Sequence, residues 1–275
     1  MVLLSGGLAA MPSMAQVQRP PLELGLLPHL SARTLVAHYR PMREQLESTL
    51  GRAVQVSTAP NWGEFHRRAL QYEYDLMVTA IHMARLAQLD RGYRPLVQFL
   101  PDIECLLVCA AARPLASVAE LRGRSLVLAN PQSLVAVHGR QWLAENGLRQ
   151  GVDYTLMRVP SDDSAGAVLV RGDAIGALLS SGELRATPEA VRMQLQVVSR
   201  IAQVPGFVVM ASPRLAADAS EAARAALLAL DARSAEGREF LALTGYQAVR
   251  TVPDSVMASM DPLVEATREL LAMPP

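Results

Sequence analysis

Three times in succession, early in the chain, a short apolar run is followed by a longer segment with helical spacing. Residues 22–28 (LELGLLP) lead into 31–51 (SARTLVAHYRPMREQLESTLG), 53–59 (AVQVSTA) into 61–72 (NWGEFHRRALQY), and 74–80 (YDLMVTA) into 81–92 (IHMARLAQLDRG). Connections of this length do not make hairpins. They carry the chain back over the face of a sheet, so the pattern predicts parallel strands covered by helices. The local punctuation agrees: Ser31 and Asn61 stand at N-cap positions, Gly51 closes the first helix, and Pro41 marks a kink within it.

Beyond residue 92 the rhythm changes. Two apolar runs, 94–100 and 103–112, follow each other closely, and 117–123 reads as a short helix with Ser117 and Glu120 in capping-box spacing. A second alternation then begins: strand 124–129, a loop and long helix, strand 153–159, helix 161–172, strand 173–180. Extended runs at 195–202 and 207–212 precede a helical tail at 216–234, 235–245 and 259–272. Two α/β units in one chain, with the last helices returning to the first unit, imply two lobes and a cleft. The expected division is residues 20–104 plus 206–275 for one lobe and 107–203 for the other, as when one domain is inserted into another.

Open α/β sheets take their ligands beyond the carboxyl ends of the strands, beside helix starts. Those junctions carry the candidate ligand-binding residues His29, Asn61, Trp62, Thr79, His82, Gln132, Ser133, Asp162, Asp163 and Ser180. Each also has a structural reading: Trp62 packing a lobe surface, His82 satisfied inside the core, Asp162 and Asp163 as acids in the first turn of a capped helix.

Composition narrows the chemistry. The chain is 51% hydrophobic and 19% charged with formal net charge zero, so it has no basic footprint for nucleic acid. Its 26 basic residues are all Arg, which leaves no lysine for Schiff-base chemistry or a phosphate loop. Cys105 and Cys109 fall on one predicted strand, roughly 13 Å apart, too far for a disulfide. There is no HExxH, nucleophile elbow or Gly-rich nucleotide loop. Hence no catalytic residue, metal or cofactor is expected. Residues 1–15 are apolar to Met11 and end in Ser13-Met14-Ala15, a small-x-small pattern; they read as a truncated secretory signal, with the mature chain starting near Gln16.

Several phrases, in order and at matching distances, resemble the periplasmic substrate-binding proteins of phosphate, phosphite and phosphonate ABC transporters. These are LGLLPHLSARTLVAHYRPMREQLESTLGRAVQV, APNWGEFHRRALQYEYDLMV, SVAELRGRSLVLANPQS, AVLVRGDAIGAL and DARSAEGREFLALTGYQAVRTVPD. The resemblance implies an α/β bilobal periplasmic-binding-protein-like fold, two lobes joined by two crossing strands. It further implies a periplasmic, monomeric protein that captures a small polar ligand in the cleft and hands it to a membrane permease.

Trp62 stands where that family has an aromatic residue facing the ligand, and Thr79 at a further contact position. The chain departs from the family in two places. Ser133 keeps the first hydroxyl of the anion loop, but Leu134, Val135 and Ala136 follow it; and Asp162-Asp163 replaces a histidine followed by an acid. A phosphonate relies on several charge-assisted hydrogen bonds worth about 1.5–3 kcal/mol each, so phosphate and simple alkylphosphonates are expected to bind weakly. The competing readings are a ligand-sensing partner of a signalling system and a lyase or dehydratase using Asp162, Asp163 and His82 as acid and base.

Overall fold

The computed structural model describes residues 20–128, 130–159 and 164–272. Residues 1–15 of the expected leader lie outside these, as do Asp162 and Asp163.

The opening alternation forms β1 (Leu22–Leu26), β2 (Val54–Ser57) and β3 (Leu76–Thr79), with β1 hydrogen-bonded in parallel to both others. The sheet is mixed, however. Strand β10 (Val208–Ala211) enters it antiparallel between β3 and β4 (Arg94–Leu100), and β11 (Ala248–Thr251) closes the edge antiparallel to β4.

The predicted helix 31–51 is two helices, α1 (Ala32–His38) and α2 (Arg40–Leu50), parted at Tyr39 (φ −93°, ψ 4°). Pro41 sits in the first turn of α2, where its missing N–H has no intrahelical acceptor to lose. It therefore opens a helix rather than kinking one. Ser31 caps α1 by accepting the Thr34 N–H, and Gly51 ends α2 in the left-handed region at φ 56°. Helices α3 (Trp62–Leu70) and α4 (Ile81–Arg91) follow as the spacing implied.

The second sheet runs β7 (Tyr154–Met157), β6 (Arg124–Leu128), β8 (Gly176–Ser180), β5 (Ile103–Ala110), β9 (Leu195–Val204). Strands β6, β7 and β8 are parallel, and β5 is antiparallel to both its neighbours. Its helices are α5 (Leu134–Glu145), α6 (Ala165–Arg171), α7 (Ser181–Ala186) and α8 (Glu189–Arg192). The chain thus changes sheets twice, between β4 and β5 and between β9 and β10. At the second crossing Gly206 lies so close to the first that a Cβ there would collide with the Phe99 carbonyl oxygen.

The tail returns to the first sheet. Helices α9 (Ala217–Leu228) and α10 (Ala235–Thr244) pack on α2, while α11 (Asp254–Ala258) and α12 (Val264–Ala272) pack on α4. One face of the first sheet buries Leu24, Met42, Phe99, Leu227 and Phe240. A second core runs without interruption from Trp62, Phe65 and Tyr74 in the first lobe to Leu126, Leu134 and Leu178 in the second. This continuity brings the helix starts of the two lobes face to face. No helix among the described residues is long and apolar enough to cross a membrane.

Candidate functional site

The two sheets share a cavity of about 580 Å³. It draws its walls from the ends of β1 and β3, the starts of α3, α4, α5 and α7, both crossings, and the end of α10. Of the residues predicted from sequence, His29, Trp62, His82, Ser133 and Ser180 line it. Asn61, Thr79 and Gln132 stand beside it without lining it, and each has a visible reason. Asn61 turns its Oδ1 to the Glu64 N–H, 2.8 Å away, as the cap of α3. Thr79, fully buried, lies opposite Val208 in the β3–β10 ladder, and its hydroxyl has no partner among the described residues.

Gln132 joins the lobes. Its Nε2 donates to the Leu270 carbonyl of α12 (3.0 Å), and its own carbonyl lies 3.1 Å from His82 Nε2. A carbonyl only accepts, so Nε2 carries the His82 proton and Nδ1 is left as a bare acceptor; that atom is buried and has no partner among the described residues. Burial lowers the His82 pKa to about 4, which keeps the ring neutral. Trp62 is 5% exposed. Its Nε1 donates to the Pro28 carbonyl at 3.1 Å, and its ring lies 6.1 Å from that of His82. His29 holds the Leu27 carbonyl through Nδ1 and meets Phe207 edge-on at 4.7 Å.

Two longer helices aim their starts at the cavity from opposite lobes. Helix α4 begins at Ile81 with Ala80 as an N-cap that offers no side-chain acceptor. In α5 the Ser133 hydroxyl is used within the loop: it donates to the Asn130 carbonyl (2.8 Å) and accepts the Ala136 N–H (3.2 Å). The Leu134 and Val135 N–H groups, first in α5, have no acceptor inside the helix. The cavity therefore receives partial positive charge from backbone dipoles.

Sequence reasoning missed Arg185, Arg192, Phe207 and Tyr246, all of which line the cavity. Ser180 and Glu183 form a capping box at the start of α7, and that S-x-x-E signal was available as a helix start that would have placed Arg185 within it. Phe207 and Tyr246 reach the site through the second crossing and the turn after α10, which local spacing does not encode. Among the described residues no cluster of three or more His, Cys, Asp or Glu side chains is placed to share a metal ion.

Two lobes, two crossings and a cleft between them define a periplasmic-binding-protein fold. A binding-protein component of an ABC phosphonate transporter from Pseudomonas aeruginosa superposes with TM-score 0.78 at 15% identity, covering 91% of this chain and 87% of that one. PhnD1 from Prochlorococcus marinus, solved in complex with methylphosphonate, gives 0.77 at 13%, covering 92% and 98%. A Xanthomonas citri protein solved bound to ATP gives 0.70 at 19%, covering 90% and 97%. No curated protein sequence matches the chain. The family model for the phosphonate ABC transporter periplasmic substrate-binding protein matches residues 24–257. The chain belongs to this family, one of transport binding proteins rather than enzymes, whose members serve a membrane permease outside the cytoplasm.

Proposed function

We propose that this protein captures a small organic solute between its lobes and presents it to an ABC permease, and that phosphate and simple alkylphosphonates are poor ligands. The observation that carries the reading is the state of the α5 start. The one hydroxyl left in the loop, Ser133, is occupied by Asn130 and Ala136, and Leu134 and Val135 place aliphatic side chains on the cavity wall. The backbone N–H groups of α4 and α5 suit one oxygen or a partial negative charge. A bare dianion needs several charge-assisted donors, and losing two of them costs several kcal/mol. Trp62, Phe207, Ile81 and Leu30 supply flat and aliphatic surface for an organic body, as in a hydroxylated organic acid or a zwitterion. We take the lobes to be 20–104 with 206–275, and 107–203.

Calorimetry with phosphate, methylphosphonate and a panel of zwitterions and hydroxy acids tests this. At least one organic solute should bind far more tightly than methylphosphonate. Micromolar methylphosphonate binding that is lost in Ser133→Ala would return the protein to an oxyanion-clamping role.

A further inference from the structure

Two arginines stand on the wall of the cleft, and among the described residues neither has a carboxylate partner. Arg185, on α7 of the second lobe, reaches across to Gly245 at the end of α10: a Cβ on Gly245 would lie 2.9 Å from Arg185 Nε. Its guanidinium makes no hydrogen bond or ion pair with any described residue. Arg192 donates from Nη1 to the Arg185 carbonyl at 2.9 Å, which ties α8 to α7 and holds both residues on one wall. The acid among the described lining residues is Glu183, and its carboxylate accepts the Ser180 N–H in the capping box. Burial lowers the pKa of His29, His38 and His82, so all three are neutral at pH 7. The fixed charge of the described lining is then two arginines against one glutamate, or +1. The other walls are apolar: Leu30, Trp62, Ile81, Leu134, Val135 and Phe207. A volume of about 580 Å³ is mid-range for sites that hold organic ligands.

From this arrangement we infer that the cleft takes an organic monoanion with an apolar body of several carbons, its charged group on Arg185 and its body along Trp62 and Phe207. The inference deepens the solute-capture reading and rests on it. A guanidinium grips carboxylate and sulfonate oxygens through two parallel N–H donors, so both head groups satisfy the chemistry. Each methylene moved from water onto the apolar walls strengthens binding about fourfold, so chain length should be read strongly.

The test is calorimetry on wild type and Arg185→Gln with hexanoate, hexanesulfonate, acetate, methanesulfonate and uncharged hexanamide. Arg185 is exposed, and equal melting temperatures will show that the variant is folded. One six-carbon anion should bind wild type at least about tenfold more tightly than its one- or two-carbon counterpart. Which one does so separates a carboxylate from a sulfonate site. Arg185→Gln should weaken that anion about tenfold and leave hexanamide within about twofold. Equal weakening of anion and amide would make Arg185 a latch between the lobes and overturn the inference, as would failure of both six-carbon anions to bind wild type. Native mass spectrometry keeps the two readings apart: a neutral or cationic solute held in the cleft overturns the anion inference and leaves solute capture standing, whereas no solute from the anion, amide, zwitterion or hydroxy-acid panels bound overturns capture itself.

Discussion

His82 serves the packing and the cleft with one ring. At 2% exposure it is held neutral, donates to Gln132 across the lobes and keeps beside the cavity an acceptor with no partner among the described residues. Its folded pKa of about 4 lies below the ordinary value of 6.5, so the unfolded chain takes up protons first as the pH falls. The associated stability is complete above about pH 6.5 and is lost progressively toward pH 4, on the order of 3 kcal/mol for a full shift of this size. His66, also buried and lowered to about 4, acts in the same window. Melting temperature followed from pH 7 to pH 4 should fall, and His82→Gln should fall less steeply; parallel curves would show that His82 does not carry the effect. Trp62→Phe removes the Nε1 donor and leaves the Pro28 carbonyl without it, which should cost about 1 kcal/mol in a denaturant titration.

At the scale of elements, the helix starts were the most legible part of the sequence. Ser31 and Asn61 cap helices as their positions implied, because a short side-chain oxygen beside a helical stretch has one obvious donor within reach; Ser133, read from sequence as an anion-loop hydroxyl, caps α5 in the same way. Ser133→Ala should lower stability by about 1 kcal/mol through loss of the α5 cap, measured by chemical denaturation, whether or not a solute is present. Strand β11 was invisible: Ala248–Thr251 is four residues, two of them exposed, and it is a strand only because β4 offers an unpaired edge. Helices α7 and α8 are too short for periodicity to register, and with them went Arg185 and Arg192. The antiparallel insertion of β10 between β3 and β4 is likewise a matter of topology, not of local pattern. At the second crossing, Gly206→Ala should destabilise strongly, since the new methyl meets the Phe99 backbone carbonyl rather than a side chain able to turn away. A melting temperature within a degree or two of wild type would contradict that.

Among the described residues, Gln132 makes two polar contacts between the lobes that hold the molecule in its present arrangement. Gln132→Ala deletes the bond to Leu270 and spares the carbonyl that faces His82. The unliganded variant should populate a more open form, seen as a larger radius of gyration in solution scattering and reversed by a bound solute. An unchanged radius would mean that the apolar core running from Trp62 to Leu134 decides closure alone.

The position of β10 also orders events in time as the chain emerges, N-terminus first, into the compartment where it folds. Strands β5 to β9 form one uninterrupted stretch, so the second lobe has its whole sheet by Val204. The first lobe begins earlier and finishes later: between β3 and β4 there is a gap one strand wide until Val208–Ala211 has been made, and α9 and α10 arrive after that. The half synthesised second should therefore mature first, while the opening β1–β4 segment waits with a divided sheet and exposed strand edges. A fragment ending at residue 205 should already contain a protease-resistant second lobe, while the first remains open to cleavage until β10, α9 and α10 are present.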